Sequence, residues 1–373
     1  MNLFIFEAKK VLFSKKFLFV LGLLIVSIIL LFFQNMSFQS HVEKEERLAI
    51  DAQIKTSQSN GRFHQRALEG NPDDEKQQLL QEINLQIRDQ LYSLSSAFSA
   101  KDWQRNLAMQ NDILAKTLAY KKEGGESPLS EKEILQTIAM NEELLERGIR
   151  PENETYSLAV PNFMKQVVDV WLHGGALIFL VLLIGETMSS EFENHSIKLL
   201  FTQPLKKSAL IISKFWSSVV VYILSLIVVL ITTIGISVLF GDKGSLSYPV
   251  FIEQNESMVF IGTLEYMIKG LIITTSLVFL VIVLTLLYSL YLKKTMSTLA
   301  ALLGTFAIGY GLTLIIQWSP LTWLNPFVNL MPGELVQNQN NRVWYQAIPI
   351  TLLLTMIAYG WSFRKVKNSQ SVG

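Results

Sequence analysis

Long apolar runs alternate along the chain with one extended polar stretch. Six runs stand out: Phe17 to Phe33, Val167 to Ile184, Phe215 to Phe240, Gly270 to Leu292, Met296 to Trp318 and Ala347 to Phe363. Each approaches the roughly 20 residues needed to cross about 30 Å of hydrocarbon, well beyond the length of a soluble core strand. The last is short and carries Pro349 near its start, where first-turn N–H groups have no intrahelical partner to lose. The pattern predicts an all-α membrane protein with about six transmembrane helices.

The polar stretch, 35–165, follows the first run. Its apolar positions recur at helical spacing, Ile83, Ile87, Leu91, Leu94 and Phe98 in one stripe, Trp103, Leu107, Leu114 and Leu118 in a second. Breaks are expected at Asn60-Gly61, Gly70-Asn71-Pro72, Gly124-Gly125 and Gly148 to Pro151, and Ser130-x-x-Glu133 has the form of a capping box. The stretch therefore reads as a helical hairpin or small bundle. Three parts result: 1–34, an amphipathic segment and the first span; 35–165, the insert; 166–373, spans two to six. Residues 318–333 are apolar but hold three prolines, and read as a half-dipping element buried against protein, because unpaired backbone facing lipid is costly.

Charge orients these parts. Lys9, Lys10, Lys15, Lys16, Lys206, Lys207, Lys293, Lys294, Arg364 and Lys365 flank the same ends of the runs, and translocating such residues is disfavoured. Both termini are thus expected in the cytoplasm and the insert outside. The insert carries 21 acidic and 16 basic residues, net −5, against +6 for the rest of the chain. Trp171, Trp318, Trp323 and Trp344 fall at expected outer ends, and Trp216 and Trp361 at inner ends, as interfacial rings or as packing between helices. The lysine-rich start resembles a secretory signal, but its apolar run is long and residues 34–38 lack a small-x-small cleavage pattern, which favours an uncleaved span in a multi-pass cytoplasmic membrane protein.

Composition narrows the chemistry. Half of the 373 residues are hydrophobic and 17% charged, and with no cysteine the insert has no disulfides and the chain no thiolate metal site. A net charge of +1 gives no case for nucleic-acid binding. No phosphate-cradling glycine loop or catalytic signature occurs, so the chain is not expected to hydrolyse ATP or hold a cofactor. His41, His64 and His195 have no companion ligands and read as surface residues. Asp169 and His173, one helical turn apart in the second span, have the spacing to orient an ion or proton. Their place in the outer turns favours an interfacial polar pair supporting the insert's base.

The inner loop after the second span is more specific. Ser190-x-x-Glu193 has a capping pattern, Phe192, Leu199 and Leu200 supply apolar positions, and Pro204 ends the segment. The pattern alone fits a docking helix, about 190–204, or an amphipathic helix resting on the membrane. The stretch resembles the signature of ABC-2 type transporter permeases, in which acidic residues precede Gly-Thr, a hydrophobic pair, a proline and a basic residue entering the third span. Here Glu191 and Glu193, Leu199-Leu200, Pro204, and Lys206, Lys207 or Lys214 match, while His195-Ser196 replaces Gly-Thr. The amphipathic start and the proline-broken element with Leu324-Asn325-Pro326-Phe327 agree with this family.

The resemblance implies a coupling helix that docks on a separate ATP-binding cassette subunit, which carries the ATP and magnesium. Leu199 and Leu200 would form the docking face and Glu191, Glu193 and Lys198 its polar rim. It further implies two paired permease chains in membrane lipid, exporting an amphipathic, peptide-like or lipid-like compound. A transmembrane signalling or assembly component, whose insert regulates an outer partner, is the alternative. A third reading, an insert that captures substrate, has no aromatic cage or pocket motif behind it.

Overall fold

The computed structural model describes residues 3–97, 102–197, 207–254, 257–315, 321, 323–338 and 343–368. A short amphipathic helix, α1 (Leu3–Leu12), turns into α2 (Lys15–Gly70) at Ser14, whose Oγ accepts the Phe17 N–H at 3.1 Å and caps the second helix. α2 has 56 residues, about 84 Å at 1.5 Å per residue. Its apolar beginning and its polar remainder form one rod.

The break expected at Asn60-Gly61 does not occur. Ser57 Oγ donates to Asn84 Oδ1 at 2.9 Å, Asn84 Nδ2 donates to the Ser57 carbonyl at 2.8 Å, and a Cβ on Gly61 would lie 3.2 Å from that Nδ2. Gly61 serves close helix approach rather than a turn, and α2 ends only at Gly70.

Helices α3 (Glu75–Ala97), α4 (Trp103–Lys122) and α5 (Glu131–Arg147) complete the insert, each packed on its predecessor. Leu80, Ile87, Leu91 and Leu94 bury against Ile54, Ile113 and Tyr120; Phe98 lies outside the described residues. The Ser130–Glu133 capping box forms with both of its hydrogen bonds, and Gly148, at φ +63°, closes α5. His64 is not a surface residue: only 3% exposed, its Nδ1 lies 2.7 Å from Gln77 Oε1 and its Nε2 2.6 Å from the Tyr120 hydroxyl. At the insert's base, buried Asn35 donates to the Ser157 carbonyl at 3.0 Å and to Gln166 Oε1 at 2.8 Å, tying the returning chain to α2.

The second apolar segment comprises α6 (Val160–Val170), one π turn (Trp171–Gly175) and α7 (Ala176–Ile184). Trp171 is buried and stacks on Tyr222, so this ring packs between helices instead of marking an interface. Next come α8 (Ser189–Glu193) and α9 (Lys207–Phe240). A feature absent from the sequence-based expectations follows, an antiparallel hairpin of β1 (Pro249–Gln254) and β2 (Ser257–Gly262) with Val250 opposite Ile261 and Ile252 opposite Val259. It packs against α5 and α10 (Thr263–Leu292).

Then come α11 (Thr295–Ile315), a 3-10 turn (Pro326–Leu330), α12 (Pro332–Val336) and α13 (Ile348–Asn368). Within the proline-broken element Pro326, Val328 and Asn329 are buried while Leu321, Trp323 and Leu324 are exposed, and Asn329 Nδ2 donates to Thr351 Oγ1 at 2.9 Å. Five helices among the described residues are long and apolar enough to cross a membrane: Lys15–Gly70, Val160–Glu193, Ser208–Phe240, Thr263–Leu292 and Thr295–Ile315. α13, where a sixth span is expected, is helical for 21 residues and packs along α10, the central helix. Phe19, Leu23 and Leu30 on α2 and Leu303 and Ile308 on α11 remain exposed, as they would when lipid is the solvent.

Candidate functional site

The segment after α7 is pinned on three sides. Lys214, in the second turn of α9, has a side chain only 1% exposed, and an ammonium there needs acceptors for its three protons. It has three: Glu191 Oε1 at 2.8 Å, the Thr187 carbonyl at 2.9 Å and Glu7 Oε2 at 3.2 Å. Lys10 joins Glu191 Oε1 from α1 at 2.8 Å. Burial alone would lower the Lys10 pKa, but the hydrogen bond and charge of Glu191, with Glu7 nearby, raise it above the ordinary lysine value. Two carboxylates and two ammonium groups thus lock α1, α8 and α9 together.

Glu193 fastens the same segment to a fourth element. Its carboxylate accepts from the Thr295 N–H and Oγ1, both at 2.8 Å, and so caps α11 from another part of the chain. The Ser190–Glu193 capping box expected for α8 is therefore absent, and Ser190 Oγ instead donates to the Glu186 carbonyl at 2.6 Å. Glu191 is also not the rim of an exposed face: it is 3% exposed and spent on lysines. Lys198, Leu199, Leu200 and Pro204 lie outside the described residues.

The helix expected over 190–204 is interrupted at Asn194 and His195. His195 has φ +56°, the left-handed conformation that glycine adopts without penalty. This is the position at which the ABC-2 signature carries glycine.

The outer pair is arranged differently from the sequence expectation. Asp169 Oδ1 accepts from the Tyr266 hydroxyl at 2.8 Å, and its Oδ2 lies 3.5 Å from Lys165 Nζ. His173 Nδ1 instead lies 2.7 Å from the Asp169 main-chain carbonyl, and His173 itself sits inside the π turn. Inside that turn Gly174 has φ +107°, and a Cβ on Gly333 would stand 3.1 Å from both His173 Cε1 and the Tyr266 hydroxyl. The two side chains brace a kink and share no direct bond. Among the described residues no group of three His, Asp or Glu has metal-binding placement.

Sequence reasoning missed Lys10 as a partner of Glu191 and Glu7 as a partner of Lys214. The available signal was Lys214, a charge seven residues into an otherwise apolar helix, a placement that requires a counter-ion.

A family model of the ABC-2 family transporter proteins matches residues 15–362. The chain belongs to this family. No curated protein and no solved structure matches it. The ABC-2 protein is accordingly a multi-pass membrane protein and a transmembrane component of an ABC transporter, a family whose members act with an ATP-binding cassette partner.

Proposed function

We propose that this ABC-2 protein is the permease subunit of an ATP-driven exporter, moving an amphipathic, peptide-like or lipid-like compound across the cytoplasmic membrane of a bacterium. In this reading both termini are cytoplasmic, the insert is outside, and two such chains pair in the lipid. The segment after α7 docks on a separate ATP-binding subunit through Leu199 and Leu200.

The observation that carries the proposal is the cluster of buried Glu7, Glu191 and Lys214 with the half-exposed Lys10. Nucleotide can shift a permease only if the ATPase contacts it differently in two states. A loop held to α1, α9 and α11 by charged contacts would pass such a shift to several membrane helices at once. The test is ATP hydrolysis by the complex of this chain with its ATP-binding subunit. Wild-type chain should give cargo-stimulated hydrolysis, and Lys214→Met should retain the subunit while losing the stimulation. Unchanged stimulation in Lys214→Met would remove the cluster from the coupling path.

The unbroken α2 favours a second reading, in which the same ATPase cycle drives motion of the insert against an outer partner. A chain lacking 61–148 separates the two: retained export makes the insert accessory.

A further inference from the structure

The four helices of the insert pack around two separate apolar centres. One lies around Leu91 and Tyr120, the other around Leu107, Leu144 and Tyr248. Between them, lined by residues of α2, α3, α4 and α5 and by the loop 150–153, is a cavity of about 650 Å³. Well-packed domains hold few voids larger than a water molecule, whereas small-molecule sites occupy about 300–1,000 Å³. This space has the size of a binding site.

Its lining is rich in acceptors. Glu43, Glu46 and Ile50 follow one another along the α2 face that borders it, and neither carboxylate has an ion-pair partner among the described residues. Asn106 Oδ1 is buried without a partner. Asn141, only 6% exposed, gives its amide nitrogen to Asn111 Oδ1 at 2.8 Å, while its carbonyl oxygen has no hydrogen bond among the described residues. Of the two basic groups in the lining, Arg47 has a partner within the chain, and the charge of Arg150 acts on the Glu152 carboxylate. Leu107 and Ile113 supply an apolar floor. The buried Asn106 Oδ1 is costly without a donor, and the exposed carboxylates of Glu43 and Glu46 on the same lining favour a cation that brings N–H groups.

We propose that this cavity binds a cationic amphipathic molecule, its ammonium or guanidinium group against Glu43 and Glu46 and its apolar body on Leu107 and Ile113. The chemistry is independent of whether the chain exports its ligand. It goes beyond the permease reading, because it assigns a binding role to the insert itself.

The test uses the full chain in nanodiscs of zwitterionic lipid, without any ATP-binding subunit. A photoreactive benzophenone with an alkylammonium tail and its alkylcarboxylate counterpart serve as probes, with labelled peptides mapped by mass spectrometry. The ammonium probe should label 43–53, 106–114 or 150–153. Labelling should fall at least about tenfold, about 1.4 kcal/mol, in Glu43→Gln/Glu46→Gln, which removes both carboxylates, and in Ala49→Trp, which fills the space. Labelling confined to the spans, equal labelling by the carboxylate probe, or labelling indifferent to Ala49→Trp would each overturn the proposal. None of these results bears on recruitment of an ATPase, so failure here leaves the permease reading intact.

Discussion

Lys214 Nζ and Glu191 Oε1 lie 2.8 Å apart with side chains 1% and 4% exposed, joining the start of α9 to the segment that follows α7. Two charges so far from water are tolerable only while each keeps its partner. Removing Lys214 leaves buried Glu7 without its cation and Glu191 with Lys10 alone, at a cost of about 3–5 kcal/mol. Lys214→Met should lower the unfolding free energy by that order in detergent. Lys214→Met with Glu191→Met should cost much less than the sum of the single changes. Additive losses in this double-mutant cycle would show that the contact carries no coupling.

His195 occupies a left-handed backbone conformation, which costs a residue with a Cβ about 1–2 kcal/mol. His195→Gly should therefore stabilise the chain by about 1 kcal/mol, and His195→Val should destabilise it by a similar amount. Thermal unfolding of the three proteins should rank glycine, histidine, valine. Valine equal to histidine would contradict the backbone assignment. The family signature thus gains a physical reason, since glycine suits a turn that interrupts the helix.

Continuity of α2 is open to direct measurement because the chain has no native cysteine. Spin labels at Ser40→Cys and Arg66→Cys should give one narrow distance near 39 Å, 26 residues at 1.5 Å each. A shorter or broad distribution would restore the break at Asn60-Gly61.

How much of this was legible in the sequence depends on whether neighbours along the chain or distant segments decide. The apolar runs, the Ser130–Glu133 box and the stop at Gly70 are local, and their signals suffice. Gly61 misleads because its reason is Asn84, on another helix. Glu193 misleads similarly: its spacing from Ser190 suggests a local cap, while Thr295 takes the carboxylate. Glu191 reads as a rim residue until α1 and α9 surround it. The hairpin had a visible signal, two β-branched and aromatic runs around Asn255-Glu256, which the dominance of helical periods obscured.

Glu152 gives a pH-dependent expectation. Burial raises its carboxyl above the ordinary value, against hydrogen bonds from Ser157 at 2.7 Å and Asn162 at 2.8 Å. A raised folded-state value means that the group favours folding below its unfolded pKa of about 4.3, a contribution lost as pH rises through the folded value. Glu152→Gln keeps an oxygen for both donors and removes the charge. Its unfolding midpoint should exceed wild type at pH 7.5, with the advantage gone at pH 4. A larger advantage at pH 4 would reverse the assignment.

Gly309 sets the packing of the proline-broken element. A Cβ there would stand 2.3 Å from the Phe327 ring, so Gly309→Ala must displace that ring at a cost of about 1–3 kcal/mol. Unfolding in detergent should show the loss, and Phe327→Leu should reduce it. An alanine variant as stable as wild type would place Phe327 elsewhere.

The central claim, a permease subunit driven through the segment after α7, is tested most directly by affinity purification from native membranes in mild detergent, with ATP hydrolysis measured on the eluate. Wild-type chain should bring an ATP-binding protein and its hydrolysis, while Leu199→Asp and Leu200→Asp insert normally but lose both. A wild-type chain that brings no ATPase, or variants that retain it with unchanged stimulated hydrolysis, would contradict the account.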